Sequence, residues 1–190
     1  MVGTKLIDKL RQEADHYLGL PYMINILRDG KIIKERFLGG KGHWRDIEKE
    51  LKRLAKTEKI NLSKLNPQQT YNFQKKHKIG IDCSGLATQL LLFYGNLIDK
   101  KIELNPRKTS ADILTSVPLS QRITDFDAIQ TGDLIRQKNG HHVLFIIEKK
   151  GKIIDFIDSS FDGRGVKYGQ ANIYDPLFDN QGIFRLNQLI

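Results

Sequence analysis

The stretch Gly80-Ile81-Asp82-Cys83-Ser84-Gly85-Leu86-Ala87-Thr88-Gln89-Leu90-Leu91-Leu92-Phe93-Tyr94 decides how the rest of this 190-residue chain is read. From Cys83 to Tyr94 it is apolar nearly all round, the pattern of a helix buried on every side rather than on one stripe. Gly95-Asn96 is read as its stop. Asp82 is a good N-cap, and Gly80 and Gly85 let the backbone turn tightly and let another group approach closely. Cys83 therefore stands at a helix N-terminus, where the dipole and free N–H groups favour the thiolate, the nucleophilic form of a thiol. The chain has 1 cysteine, which excludes an intramolecular disulfide and a zinc site built from several thiols. The bland alternative is a buried apolar residue at the head of a core helix.

Outward from this helix the chain changes character. Upstream, Leu6, Ile7, Leu10, Ala14, Tyr17 and Leu18 recur at helical spacing over 4–18 and end at Gly19. Leu20-Pro21-Tyr22 starts an extended piece, Arg28-Asp29-Gly30-Lys31 is a hairpin turn signal, and Gly39-Gly40-Lys41-Gly42 breaks the chain. Residues 45–57 read as a charged helix with Ile47, Leu51, Leu54 and Ala55 on one face, and Asn66-Pro67 opens another that ends near Lys78. Downstream, Asp133-Leu134-Ile135, His142 to Glu148 and Lys152 to Ile157 are short Ile- and Val-rich runs separated by Asn139-Gly140 and Lys150-Gly151. Phe184 to Leu189 adds a last strand. Helices first and strands after predict an α+β fold, a helix packed on an antiparallel sheet. One domain over 1–190 is expected, with about 40–80 a basic helical insertion within it.

A base for the thiol must come from a distant segment. Of the 5 histidines, His142 is the best placed, because it opens an apolar strand. His141 competes, but alternation sends the two side chains to opposite faces. With Lys150-Gly151 as a two-residue turn, Lys149 pairs with Lys152 and His142 falls opposite Ser159, with Asp158 and Ser160 beside it. A polar group there holds the imidazole tautomer. Asp155 takes that place if a bulge shifts the register.

Ile81-Asp82-Cys83-Ser84-Gly85-Leu86 resembles the Asp-Cys-Ser-Gly signature of the NlpC-type papain-like cysteine peptidases. Further pieces follow in the family's order. Tyr17-Leu18-Gly19-Leu20-Pro21-Tyr22 resembles its Gly-x-Pro-Tyr element, and Pro106-Arg107-Lys108-Thr109-Ser110 its Arg-Thr-Ser segment. Thr131-Gly132-Asp133-Leu134-Ile135 resembles the Pro-Gly-Asp-Leu start of a strand, and His142-Val143 the strand that carries the histidine. Ile157-Asp158-Ser159-Ser160 with Gly163-Arg164-Gly165-Val166 resembles the segment of the third polar residue, which favours Asp158. Two departures stand out: the 40–80 segment separates the Pro-Tyr element from the nucleophile, and an aspartate replaces the more usual His, Asn or Gln. That carboxylate favours imidazolium.

The resemblance implies a papain-like fold and acyl transfer through a thioester, with Cys83 as nucleophile, His142 as base and Asp158 orienting it. Tyr22 and the Cys83 N–H are then oxyanion donors, and Asp82 and Ser84 substrate contacts. It implies a hydrolase of bacterial cell-wall peptides, a muropeptide endopeptidase or amidase cutting γ-D-glutamyl-diamino-acid or related bonds. It needs no cofactor and no metal, and the histidines lack metal-ligand spacing. An acyltransferase or deamidase would use the same intermediate.

The formal net charge of +9 favours polyanionic neighbours. The basic residues crowd into 41–78, so a non-enzymatic module gripping an anionic polymer there is the third reading. Trp44, Tyr71 and Phe73 offer stacking surfaces, but no nucleic-acid motif accompanies them. The opening Met-Val-Gly-Thr-Lys-Leu lacks the basic-then-apolar pattern of a signal peptide, and no run approaches the roughly 20 apolar residues of a spanning helix. A cytoplasmic protein, export by a non-Sec route and a mature secreted form all fit that pattern.

Overall fold

The computed structural model describes residues 2–28 and 31–190. Its elements run α1 (Val2–Asp15), β1 (Ile26–Arg28), β2 (Lys31–Lys34), α2 (Trp44–Thr57), α3 (Pro67–Lys76), α4 (Cys83–Leu97), α5 (Ala111–Leu114), β3 (Ser120–Ile123), β4 (Leu134–Gln137), β5 (His142–Lys150), β6 (Ile153–Ser160), β7 (Gly165–Asn172) and β8 (Ile183–Leu186). Six strands form one antiparallel sheet in the order β3-β8-β4-β5-β6-β7, and β1 and β2 pair separately. The architecture is α+β, with the cysteine-bearing helix laid on the sheet.

Strand alternation divides the core. Val143, Phe145 and Ile147 of β5 and Ile157 of β6 pack with Leu86, Leu90 and Leu91 of α4 and with Leu10, Ala14 and Tyr17 of the α1 region. Leu144 and Ile146, on the opposite face, join Ile135, Ile154 and Ile183 in a second apolar layer with Ile123, Ile129 and Ile173. From α2, buried Ile47 and half-buried Leu51 and Leu54 pack against the α4 core. This is the face that the helical periodicity assigns to it.

Several local expectations need correction. The α4 helix does not stop at Gly95-Asn96 but runs through Gly95 to Leu97. A side chain at Gly95 would come within 2.7 Å of Ile102, so the glycine answers a packing demand rather than a helix stop. At the β5–β6 turn Lys150 pairs with Ile153 and Lys149 with Ile154, not with Lys152, and a bulge between Ile146 and Glu148 takes back one residue of that offset, leaving Phe145 opposite Ile157. The expected pairing of His142 with Ser159 therefore does not form; an extra residue in one strand changes the partner of every residue beyond it. The last strand ends at Leu186, and Asn187–Leu189 is a 3-10 turn. β3 and β7 had no expectation: β3 is a four-residue edge piece, and β7, Gly165–Asn172, carries Gly, Lys, Gln and Asn instead of an apolar run. The β1–β2 pairing matches the turn signal at Arg28 to Lys31, whose central Asp29-Gly30 lies outside the described residues.

Candidate active site

The site is assembled where the start of α4, the start of β5 and the end of β6 meet. Asp82 caps α4 by accepting from the Gly85 N–H at 2.6 Å, which places Cys83 as the first helical residue. Its own N–H has no acceptor within the helix. The segment Leu20 to Met23 is bound against this start: Ile81 N–H donates to the Pro21 carbonyl at 3.0 Å, and Met23 N–H to the Ile81 carbonyl at 3.3 Å. Any β-carbon at Gly80 would stand 2.1 Å from the Pro21 oxygen, so only glycine permits this approach. Tyr22 bridges to Ile81 and is thereby carried to the flank of Cys83, 61 positions further along the chain.

His142 Nε2 lies 3.0 Å from Asp158 Oδ2, with both residues buried. The ring nitrogen left for the thiol is Nδ1. Burial alone lowers the His142 pKa, but the hydrogen bond to Asp158 and the neighbouring Cys83 and Asp158 outweigh it, and the net result is a rise to about 9. The second oxygen of Asp158, Oδ1, is buried without a partner, so this carboxylate is committed to the imidazole. Asp155 is elsewhere: it receives Arg11 of α1 at 2.7 Å and Gln170 of β7 at 2.6 Å. His141 is exposed in the turn before β5, and it is its carbonyl that faces the thiol, with Cys83 Sγ at 4.0 Å.

Cys83 is 5 % exposed, and it faces a cleft of about 640 Å³. Its lining mixes apolar side chains, Ile24, Ile32 and Leu38, with polar ones, among them Tyr22, Asn25, Glu35, Lys41, Arg107, Thr109, Ser110 and Asp112. Burial, followed by the charges of Cys83 and Asp82, pushes the Tyr22 hydroxyl well above the usual phenol range, so it remains an O–H donor. The Arg107 to Ser110 segment is anchored to α4 through Thr109 Oγ1 and Thr88 Oγ1, 2.9 Å apart. Asp133 is structural: Arg185 of β8 binds both its oxygens, at 2.7 and 2.8 Å, and ties β4 to its neighbour.

Lys41 is the residue that sequence reading missed. Its ammonium donates to Asp82 Oδ1 at 2.7 Å and to Ser84 Oγ, so both expected substrate contacts are already engaged. Burial pushes the Asp82 carboxyl up, against the opposing pull of Lys41, the Gly85 N–H and Ser84. The Gly39-Gly40-Lys41 turn is seated tightly: Gly40 has φ +76°, a β-carbon on it would meet the Met23 oxygen at 1.9 Å, and its carbonyl accepts from the Asp82 N–H at 2.9 Å. The only signal in sequence was the Gly39-Gly40-Lys41-Gly42 run itself, which says that the backbone turns and not where it goes.

Among the described residues, no group of three or more His, Cys, Asp or Glu side chains is gathered around a common point as a metal site requires. The aromatic residues of the basic segment are largely occupied. Trp44 stacks on His16 at 3.8 Å and donates to Glu13 at 2.7 Å, and Phe73 is buried. No helix is long and apolar enough to cross a membrane among the described residues.

The chain is similar to the crystal structure of the P60 domain of an antigen from M. avium subspecies paratuberculosis, with a TM-score of 0.47 and 16% identity over 97% of this chain and 97% of that one. No protein-family model matches the chain, and no curated protein matches it in sequence.

Proposed function

We propose that this chain is a cysteine hydrolase of amide bonds related to the NlpC-type peptidases, with Cys83 as nucleophile, His142 as general base and Asp158 as the residue that orients it. The observation that carries the reading is the buried His142–Asp158 bond of 3.0 Å beside a cysteine at the first turn of α4 that faces a cleft. A nucleophile, a base within its influence and a third group fixing the base are what acyl transfer requires.

In this mechanism the Cys83 sulfur attacks the amide carbonyl while His142 holds the thiol proton at Nδ1. The oxyanion is met by the Cys83 N–H and the Tyr22 hydroxyl. As the C–N bond breaks, the imidazolium returns the proton to the departing amine and leaves a thioester on Cys83. Water then adds, giving its proton to His142, and the C–S bond breaks to release a carboxylic acid and the thiol. Asp158 stabilises the imidazolium in both halves. The substrate class proposed is the bacterial wall peptide, cut at a γ-D-glutamyl-diamino-acid bond, with the segment at about 40–80 as an insertion that narrows the cleft through Lys41.

The test is digestion of muropeptides and of whole peptidoglycan, with new amines and new carboxylates followed by mass spectrometry. Turnover by the native protein and none by Cys83→Ala is expected. A native protein inert toward every wall peptide, or equal turnover by the variant, overturns the reading. A second reading, acyl transfer from an apolar donor to an amine or alcohol, is favoured by Ile24, Ile32 and Leu38 in the cleft lining. A product joined to an added acceptor, instead of a free acid, distinguishes it.

A further inference from the structure

The β1–β2 hairpin leaves an unusual amount of apolar surface uncovered. Of the large apolar side chains exposed among the described residues, Ile24, Ile26, Ile32 and Ile33 fall within ten positions of sequence, with Ile32 and Ile33 at 55% and 54% exposure. Consecutive strand residues point to opposite faces, so Ile32 and Ile33 display apolar surface on both sides of the ribbon. All of β2 is exposed, and β1 and β2 form a sheet of their own that is not paired with the main one. A flat protein partner covers one face of such a ribbon, whereas a lipid interface surrounds it.

The ribbon is basic on balance, with Arg28, Lys31 and Lys34 against Asp29 and the exposed Glu35. Lys31-Ile32-Ile33-Lys34 brackets the isoleucine pair with two lysines, and Arg28 stands opposite Lys31 in the ladder. All three basic residues are exposed. An apolar pair at the acyl boundary with lysine stems reaching back to phosphate is the composition of an interfacial anchor on anionic lipid. The ribbon also borders the cleft, because Ile32 of β2 and the preceding Ile24 line it together with Cys83.

We infer that the β1–β2 hairpin docks the protein on the surface of a bilayer containing anionic phospholipid, with Ile26, Ile32 and Ile33 entering the headgroup boundary and Arg28, Lys31 and Lys34 meeting the phosphates. Docking sets the mouth of the Cys83 cleft at the membrane surface. The anchor is peripheral and does not depend on the chemistry proposed for Cys83.

Co-sedimentation of the full chain with vesicles tests it, using phosphatidylglycerol mixed into phosphatidylcholine and phosphatidylcholine alone. The native protein is expected to partition onto the anionic vesicles and weakly onto the neutral ones. Lys31→Gln with Lys34→Gln lowers anionic binding by roughly fivefold per residue. Ile26→Ser with Ile33→Ser lowers it at least tenfold and leaves thiol labelling of Cys83 unchanged. Cys83→Ala binds as the native protein does, which separates failure of the anchor from failure of the hydrolase reading. Three results overturn the inference: no binding to anionic vesicles; binding that survives loss of both isoleucines, which points to a soluble anionic polymer on the basic surface; or a native dimer in solution that the isoleucine variants dissociate.

Discussion

The Asp158 carboxylate touches His142 Nε2 at 3.0 Å with one oxygen and touches no other polar side chain with the second, so its burial serves the imidazole alone. Replacing it with asparagine keeps shape while removing the charge that favours imidazolium. Asp158→Asn is expected to lower kcat by about a hundredfold or more on any amide that the native protein turns over, and His142→Ala by about a thousandfold. Steady-state kinetics on the same substrate checks both. Native rates in Asp158→Asn would assign the orienting role elsewhere.

Asp155 provides the control. It is bound by Arg11 and Gln170 and ties α1 to the sheet, so Asp155→Asn should leave turnover within about twofold and lower stability by roughly 1–2 kcal/mol. Denaturant unfolding alongside the activity assay separates the two aspartates.

The His142 shift also makes stability depend on pH. Its folded pKa of about 9 lies above the unfolded value of 6.5, so the stabilisation is fully present below pH 6.5 and is lost as pH rises through about 9. The size is roughly 3 kcal/mol. Urea unfolding of the native protein is expected to show this fall between neutral and alkaline pH, and Cys83→Ala a smaller one, because the thiol is one of the groups that raise the imidazole. Adding Asp158→Asn should flatten it.

Asp82 is buried and Lys41 partly so, with side chains 1% and 12% exposed. Lys41→Met strands a carboxylate in the core and is expected to cost about 3 kcal/mol. Lys41→Met with Asp82→Asn should recover most of that loss, because asparagine still caps α4. Thermal unfolding of the two variants checks the order.

Gly95 tests the reading of α4. Since a β-carbon there meets Ile102 at 2.7 Å, Gly95→Ala should destabilise by about 1–3 kcal/mol despite the better helix propensity of alanine. Ile102→Val should restore part of it. A stabilised Gly95→Ala would mean that the glycine is neither stop nor spacer.

Much of this arrangement was legible from pattern. The buried helix after Cys83, the face of α2 and the apolar β5 and β6 follow from periodicity, and Asp82 and Asn66 sit where N-caps belong. Asp158 was preferred over Asp155 partly from a hairpin register that the structure replaces with a bulged one, so the aspartate that meets His142 was named in part from a pairing that does not form. β7 was invisible because its side chains are mostly polar, and its place depends on the ladder to β6.

The sequence by itself determined the parts: an α4 that is apolar on every side and must be buried, a capped cysteine at its head, and strands whose alternation builds two apolar layers. Those properties are local, since capping and periodicity act within a few residues. Only the tertiary structure decided which groups meet. It brought His142 and Asp158 together across a bulge, carried Tyr22 beside Ile81, and turned Lys41 onto Asp82 and Ser84. These meetings depend on register, close backbone approach and the pairing of buried charge, which are properties of the packed chain that no short segment contains.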